Sequence, residues 1–262
     1  MAKRESVAKR KERAQRILDG LHELYAKADC ALKHRSAFEL LVATILSAQS
    51  TDETVNKVTP ALFRKYPTAA DLAKADLADV EDLVRATGFF RQKAKNIVGA
   101  ARAITGDHGG KVPADMDALT ALPGVARKTA NVVLGTWLHQ NVGVVVDTHV
   151  GRLADRLALT WTSRDPKDAI RIEQDLMQIV PQDEWTYLSH ALIWHGRRVC
   201  TARKPNCPDC RLAADCPSAG KVNGSPARAK PAKGTPASAS PTSVRRKARA
   251  AKAAGTRSRR VP

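Results

Sequence analysis

Three groups of residues in this chain have the types and spacing to do chemistry. Lys128 follows a Pro123-Gly124 turn in the stretch Leu119 to His149, LTALPGVARKTANVVLGTWLHQNVGVVVDTH. A lysine amine is a nucleophile once it loses its proton, and the positive end of a helix beside Arg127 disfavours the ammonium. Asp147 stands where the next helix should open. A carboxylate there caps the helix and is held rigidly, and it can also stabilise positive charge or carry a proton. Cys200, Cys207, Cys210 and Cys216 form the third group, C-x6-C-x2-C-x5-C. Four thiolates this close, in a loop stiffened by Pro205, Pro208 and Pro217, can close around Zn²⁺ or a [4Fe–4S] cluster. Zinc ribbons usually carry two C-x2-C knuckles and this chain has one, but spacing alone leaves both open.

These groups need elements to position them. Pro123 fixes φ and Gly124 accepts φ > 0, so LPG reads as a hairpin between a short helix ending near Ala121 and one starting near Arg127. Such a hairpin leaves unpaired amides at a helix N-terminus, a ready anion site. In a basic protein the expected anion is a nucleic-acid phosphate. Residues 5–27 read as a basic amphipathic helix with Ile17, Leu18, Leu21, Leu24 and Tyr25 on its buried face. Ser36 caps an apolar helix, AFELLVATILSA, and Thr51 or Asp52 caps the following one. Helices are expected over 69–86 and 91–105, joined through Gly88. VGVVV has strand-like β-branched content but no partner strand, so it reads as an extended connection into the Asp147 helix. Asp165-Pro166 reads as N-cap and N1 of a helix to about Val180, and 183–199 as the last long helix. His190 and His195, five apart, read as core or capping residues, and Cys30 as a small buried hydrophobe.

Composition narrows the classes. Of the formal net charge of +18, residues 221–262 hold +12, with no carboxylate, and residues 1–13 a further +4. The body is therefore near neutral, and the basic ends favour polyanions in a salt-dependent way. No run of 18 apolar residues suggests a membrane span, and the N-terminus lacks the apolar core of a secretion signal. Four cysteines clustered in 17 residues suggest a metal site in a reducing compartment. From Ser218 onward Ala, Pro, Ser, Gly, Lys and Arg dominate, so disorder is expected over 218–262.

LPGVARKTA with Lys128, VDTH and the four-Cys spacing resembles the endonuclease III family, helix-hairpin-helix iron–sulfur DNA glycosylases. The resemblance covers about residues 30–217. It implies an all-α, two-lobed fold with a helix-hairpin-helix domain over 36–147. A cluster domain would join 5–35 to 148–217, and the tail would follow from 218 to 262. It implies a bifunctional DNA glycosylase/AP lyase that removes oxidised pyrimidines such as thymine glycol through a Lys Schiff base and cuts the abasic strand by β-elimination. Lys128 is then the nucleophile, Asp147 the catalytic carboxylate and the four cysteines ligands of a [4Fe–4S] cluster. DNA contacts would come from Gln49, filling the gap left by an everted base, and from the hairpin residues Leu122, Gly124, Ala126, Arg127 and Thr129. His149 and the cluster-loop residues Arg203 and Lys204 complete the set.

Two positions depart from the family pattern. Ala126 stands where a second hairpin Gly is usual, and a positive φ there would cost about 1–2 kcal/mol. Phe89 stands where Leu is usual, giving a bulkier wedge between bases, with Phe90 assigned to the core. The implied partner is double-stranded DNA with oxidised-pyrimidine or abasic sites, engaged by a monomer in the cytoplasm, associated with the nucleoid. A monofunctional mismatch glycosylase of the same fold would lack Lys128. A non-catalytic, metal-stabilised DNA-binding protein would not need Lys128 and Asp147 together.

Overall fold

Caps written into the sequence begin most of the helices in the computed structural model, which describes residues 5–163 and 165–222. Ser6 accepts from Lys9 N–H to open α1 (Val7–Tyr25), Ser36 from Glu39 N–H to open α2 (Ala37–Leu46), and Thr51 from Thr54 N–H to open α3 (Asp52–Lys65). Each satisfies an amide that the first turn leaves without a partner. The helix expected over 69–86 is broken. It divides into α4 (Ala69–Ala73) and α5 (Leu77–Val84), because Asp76 turns out to accept from Ala78 N–H and start a new helix. After α6 (Phe90–Asp107) come α7 (Met116–Ala121) and α8 (Arg127–Val132), which continues as a π-helical turn over Val133–Trp137.

Asp147 caps α9 (Thr148–Arg156). The helix expected from Asp165-Pro166 starts one turn later, as α10 (Ala169–Ile179) with Asp168 at its cap. Asp165 instead closes a turn by accepting from Lys167 N–H at 2.9 Å. The last long helix, α11, spans Trp185–Arg198. Residues 218–222 of the expected tail are described, as turns ending in a bend at Val222, and the disorder expected for 223–262 lies outside the described residues. Among the described residues there is no strand, and no helix is long and apolar enough to cross a membrane.

Apolar side chains gather into two buried clusters. The first holds Leu40, Leu41 and Leu46 of α2 with Leu62, Ile97, Leu119 and Leu134. The second packs Ile17, Leu18 and Leu21 of α1 against Val150, Leu153, Ile172, Leu176 and Leu192. Between them runs VGVVV. Its side chains alternate, as an extended backbone requires, so Val145 enters the first cluster while Val144 and Val146 enter the second. Buried Ser189 of α11 accepts the Val145 N–H at 3.0 Å, which replaces the ladder bond that a strand would have made.

The Asp165-Pro166 turn sits directly on α9. A Cβ on Gly151 would stand 2.0 Å from the Pro166 carbonyl oxygen, a backbone atom with little freedom to move. Gly151→Ala should therefore destabilise the fold by about 1–3 kcal/mol, read as a lower urea midpoint at unchanged slope.

Candidate active site and four-cysteine centre

The hairpin is a Pro-Gly turn seated on α6. Val125 N–H donates to the Leu122 carbonyl at 3.1 Å, and Gly124 has φ 78°, as the third residue of a type II turn requires. A Cβ on Gly124 would come within 2.7 Å of the Asn96 side chain. Ala126 answers the question its substitution raised: it is extended, with φ −94° and ψ 167°, so the strain anticipated for a non-glycine does not arise. It also offers no side-chain oxygen, so the first amides of α8 have no side-chain cap and stay open to an anion. Leu122 and Thr129 are buried and brace the hairpin from within.

Lys128 is exposed in the first turn of α8. Together with Asp147 it lines an open cleft of about 530 Å³ and an adjoining cavity of about 100 Å³. Asp147 uses one oxygen, Oδ1, to accept from the His149 and Val150 amides at 2.8 Å each. The cap makes no use of Oδ2. His149 lines the cleft as well. Burial lowers its pKa, with Asp147 opposing and Arg152 adding to the shift. Gln49 stands in the cleft wall, exposed on a left-handed backbone with φ 53°.

Other expected contacts lie apart from that cleft. Phe89 is 69% exposed at φ 47°, an unusual conformation for a bulky residue. Phe90 packs partly against the first core cluster under the Arg85 guanidinium, 4.8 Å from the ring centroid. Arg127 is not a free cation. Its guanidinium forms a two-pronged pair with buried Glu173, at 3.0 and 3.1 Å, and Asn131 donates to the same carboxylate at 2.9 Å. That carboxylate offsets the charge which the sequence alone places beside Lys128. Arg203 and Lys204 are exposed in a loop pinned by Arg156, which donates to the Thr201 and Ala202 carbonyls at 2.7 Å.

The sequence did not reveal the Asp52–Arg197 ion pair. At 2.7 Å it joins the start of α3 to the end of α11, and both residues line the cleft and the cavity. Local pattern marks Asp52 only as a helix-start residue, and nothing local connects positions 145 apart.

Cys200, Cys207, Cys210 and Cys216 line one small cavity of about 20 Å³, walled by Leu153, Leu157 and Val199 among others. Burial pushes the Cys210 thiol up to about 11, and the other three cysteines add to the shift. Burial likewise raises Cys216. A metal centre bound there would reverse that effect, because a coordinated thiol is deprotonated. Among the described residues no three His, Cys, Asp or Glu side chains meet around a single ion. The four cysteines nevertheless line one cavity, which is the donor set that a four-sulfur centre needs. Arg156 already donates to Cys200 Sγ at 3.3 Å.

Two substitutions separate the hairpin positions. Gly124→Ala should destabilise by more than about 1 kcal/mol, from its positive φ and the Asn96 contact. Ala126→Gly should bring no gain and cost about 0.5 kcal/mol, because Gly loses more backbone freedom on folding. Paired urea titrations measure both.

Residues 42–182 match the HhH-GPD superfamily of base excision DNA repair proteins. Endonuclease III of Synechocystis sp. is 55% identical over 213 residues, covering 81% of this chain and 95% of that protein. A solved non-covalent endonuclease III–DNA complex superimposes with a TM-score of 0.75 at 40% identity, over 80% of this chain and 97% of the other. A trapped endonuclease III–DNA covalent intermediate matches with the same values. With that identity over nearly the whole length of its relatives, this chain belongs to the endonuclease III family of the HhH-GPD superfamily.

Proposed function

We propose that this base-excision-repair enzyme, a DNA glycosylase/AP lyase by family, removes oxidised pyrimidines such as thymine glycol from double-stranded DNA. The reading rests on one observation: Lys128 and Asp147 line the same cleft, beside a cavity into which a base could turn. Lys128 Nζ attacks the sugar C1′ and the glycosidic electron pair leaves with the base, which takes up a proton. Asp147 stabilises the positive charge developing on the sugar through the oxygen its cap leaves free. Loss of the remaining amine proton and ring opening give a Schiff base. Removal of a 2′ proton then expels the 3′ phosphate by β-elimination.

The damaged base must leave the stack first. Phe89, exposed and bulky, serves as the apolar wedge, and Gln49 fills the vacated space. The uncapped amides around Gly124, Ala126 and Thr129, with Leu122 bracing them, receive a backbone phosphate. His149, Arg203 and Lys204 add phosphate contacts, whereas the Glu173 pair reduces the part left to Arg127. Contacts of this kind position DNA without reading its sequence.

Two lobes, 36–147 and 5–35 with 148–217, flank the cleft in this reading; the two apolar clusters support the division in outline, with Leu32 joining the first and Val144 and Val146 the second. Cys200, Cys207, Cys210 and Cys216 would hold a [4Fe–4S] cluster, which when bound supplies a cross-link that fixes the loop carrying Arg203 and Lys204. The enzyme acts as a cytoplasmic, nucleoid-associated monomer, its basic ends adding salt-sensitive affinity for DNA.

Borohydride trapping on a thymine glycol duplex tests the chemistry. A covalent adduct should form and should be absent with Lys128→Ala. Base release without an adduct points to a monofunctional glycosylase, and binding without either points to a non-catalytic DNA-binding protein. Asp147→Asn keeps a good helix cap, so its stability should match the parent while single-turnover base removal slows at least about 100-fold. Phe89→Ala should slow removal of a stacked lesion about tenfold, with cleavage at a preformed abasic site nearly unchanged.

A further inference from the structure

His195, near the end of α11, is buried and touches two of the four cysteines. Its carbonyl accepts the Cys200 N–H at 2.9 Å, and its Nε2 lies 3.4 Å from Cys210 Sγ. Its other ring nitrogen, Nδ1, lies 3.1 Å from the hydroxyl of Tyr25, the last residue of α1. Tyr25 is itself 8% exposed and held on its other sides. Trp194 meets its ring edge-on at 6.2 Å, the Arg198 guanidinium lies 5.8 Å from its centroid, and Tyr187 donates to its carbonyl.

A neutral imidazole carries one N–H, and the partner of one nitrogen decides which nitrogen has it. If Nδ1 held the proton, the Nε2 lone pair would face a thiolate ligand. A Tyr25 hydroxyl that donates to Nδ1 leaves the proton on Nε2, aimed at Cys210 Sγ. We infer that Tyr25 fixes the His195 tautomer, so that His195 donates a hydrogen bond to the Cys210 thiolate and holds the cluster in its more reducible, more tightly bound form. The inference rests on the cluster reading above. His195 and Tyr25 are positioning residues. Both lie outside residues 42–182, the part that matches the superfamily.

Hydrogen bonds to cluster sulfurs favour the more negative, reduced state, and partners of metal ligands commonly change metal affinity about 10–100-fold. The test compares holoenzyme purified with its iron, by midpoint potential and by the rate of iron loss to a chelator. Tyr25→Phe keeps the ring and removes only the hydroxyl. It should shift the potential downward and speed iron loss about tenfold. His195→Leu should do the same, and His195→Gln, whose amide can donate from near the Nε2 position, should restore both readings. Adding Tyr25→Phe to His195→Gln should then change nothing further. An unchanged potential and unchanged iron loss in Tyr25→Phe overturn the relay while the cluster stands. Parent protein that binds no iron–sulfur centre overturns the cluster reading and the relay with it.

Discussion

Everything at the site depends on three valines having somewhere to go on both sides. Val144, Val145 and Val146 run extended between the two apolar clusters and feed them alternately. Each buried side chain contributes about 1.5–3 kcal/mol, and a register slip of one residue would turn all three the wrong way. Ser189 takes up the Val145 amide, so the buried backbone is not left unpaired there. Because the segment cannot slide, Asp147 emerges from it at a fixed place. The carboxylate is then fixed again by capping α9.

Lys128 is held by equally indirect means. The type II turn before it fits against Asn96 of α6, and the Arg127–Glu173 pair ties the start of α8 to α10. Arg127 is half exposed, so screening by water limits what the pair adds to stability. Its larger effect is geometric, since it joins α8, whose Ala130 and Val132 belong to the first cluster, to α10 of the second, beside Lys128. Asp52 and Arg197 make a similar tie across the cleft.

Whatever depends on local chemistry was legible in the sequence. Ser36, Thr51 and Asp147 announce their helices by type and position, and the Pro-Gly hairpin, the extended VGVVV and the convergence of four cysteines follow from similarly short signals. Misreadings arose where cap-competent residues were in surplus. Asp76 breaks what reads as one helix, and Asp165 and Asp168 compete for one start, with the loser spent on a turn. Glu173 and Arg197 were invisible as site residues because their partners are 46 and 145 positions away, and no periodicity encodes such a choice. The family resemblance, not the residue pattern, supplied the roles of Gln49 and Phe89.

The second apolar cluster is built from both ends of the folded chain: α1 opens it, and Leu212 of the cysteine loop closes it. The buried members of the first cluster all fall within residues 32–145. A chain made from its N-terminus can therefore complete the first core as soon as that stretch emerges. α1 is made earlier still, yet its apolar face has to wait unpaired for more than a hundred residues, until α9, α10 and α11 arrive. Its arginines and glutamates, rather than its packing, must keep it dispersed during that delay. A helix made before the first core is thus among the last to find its neighbours.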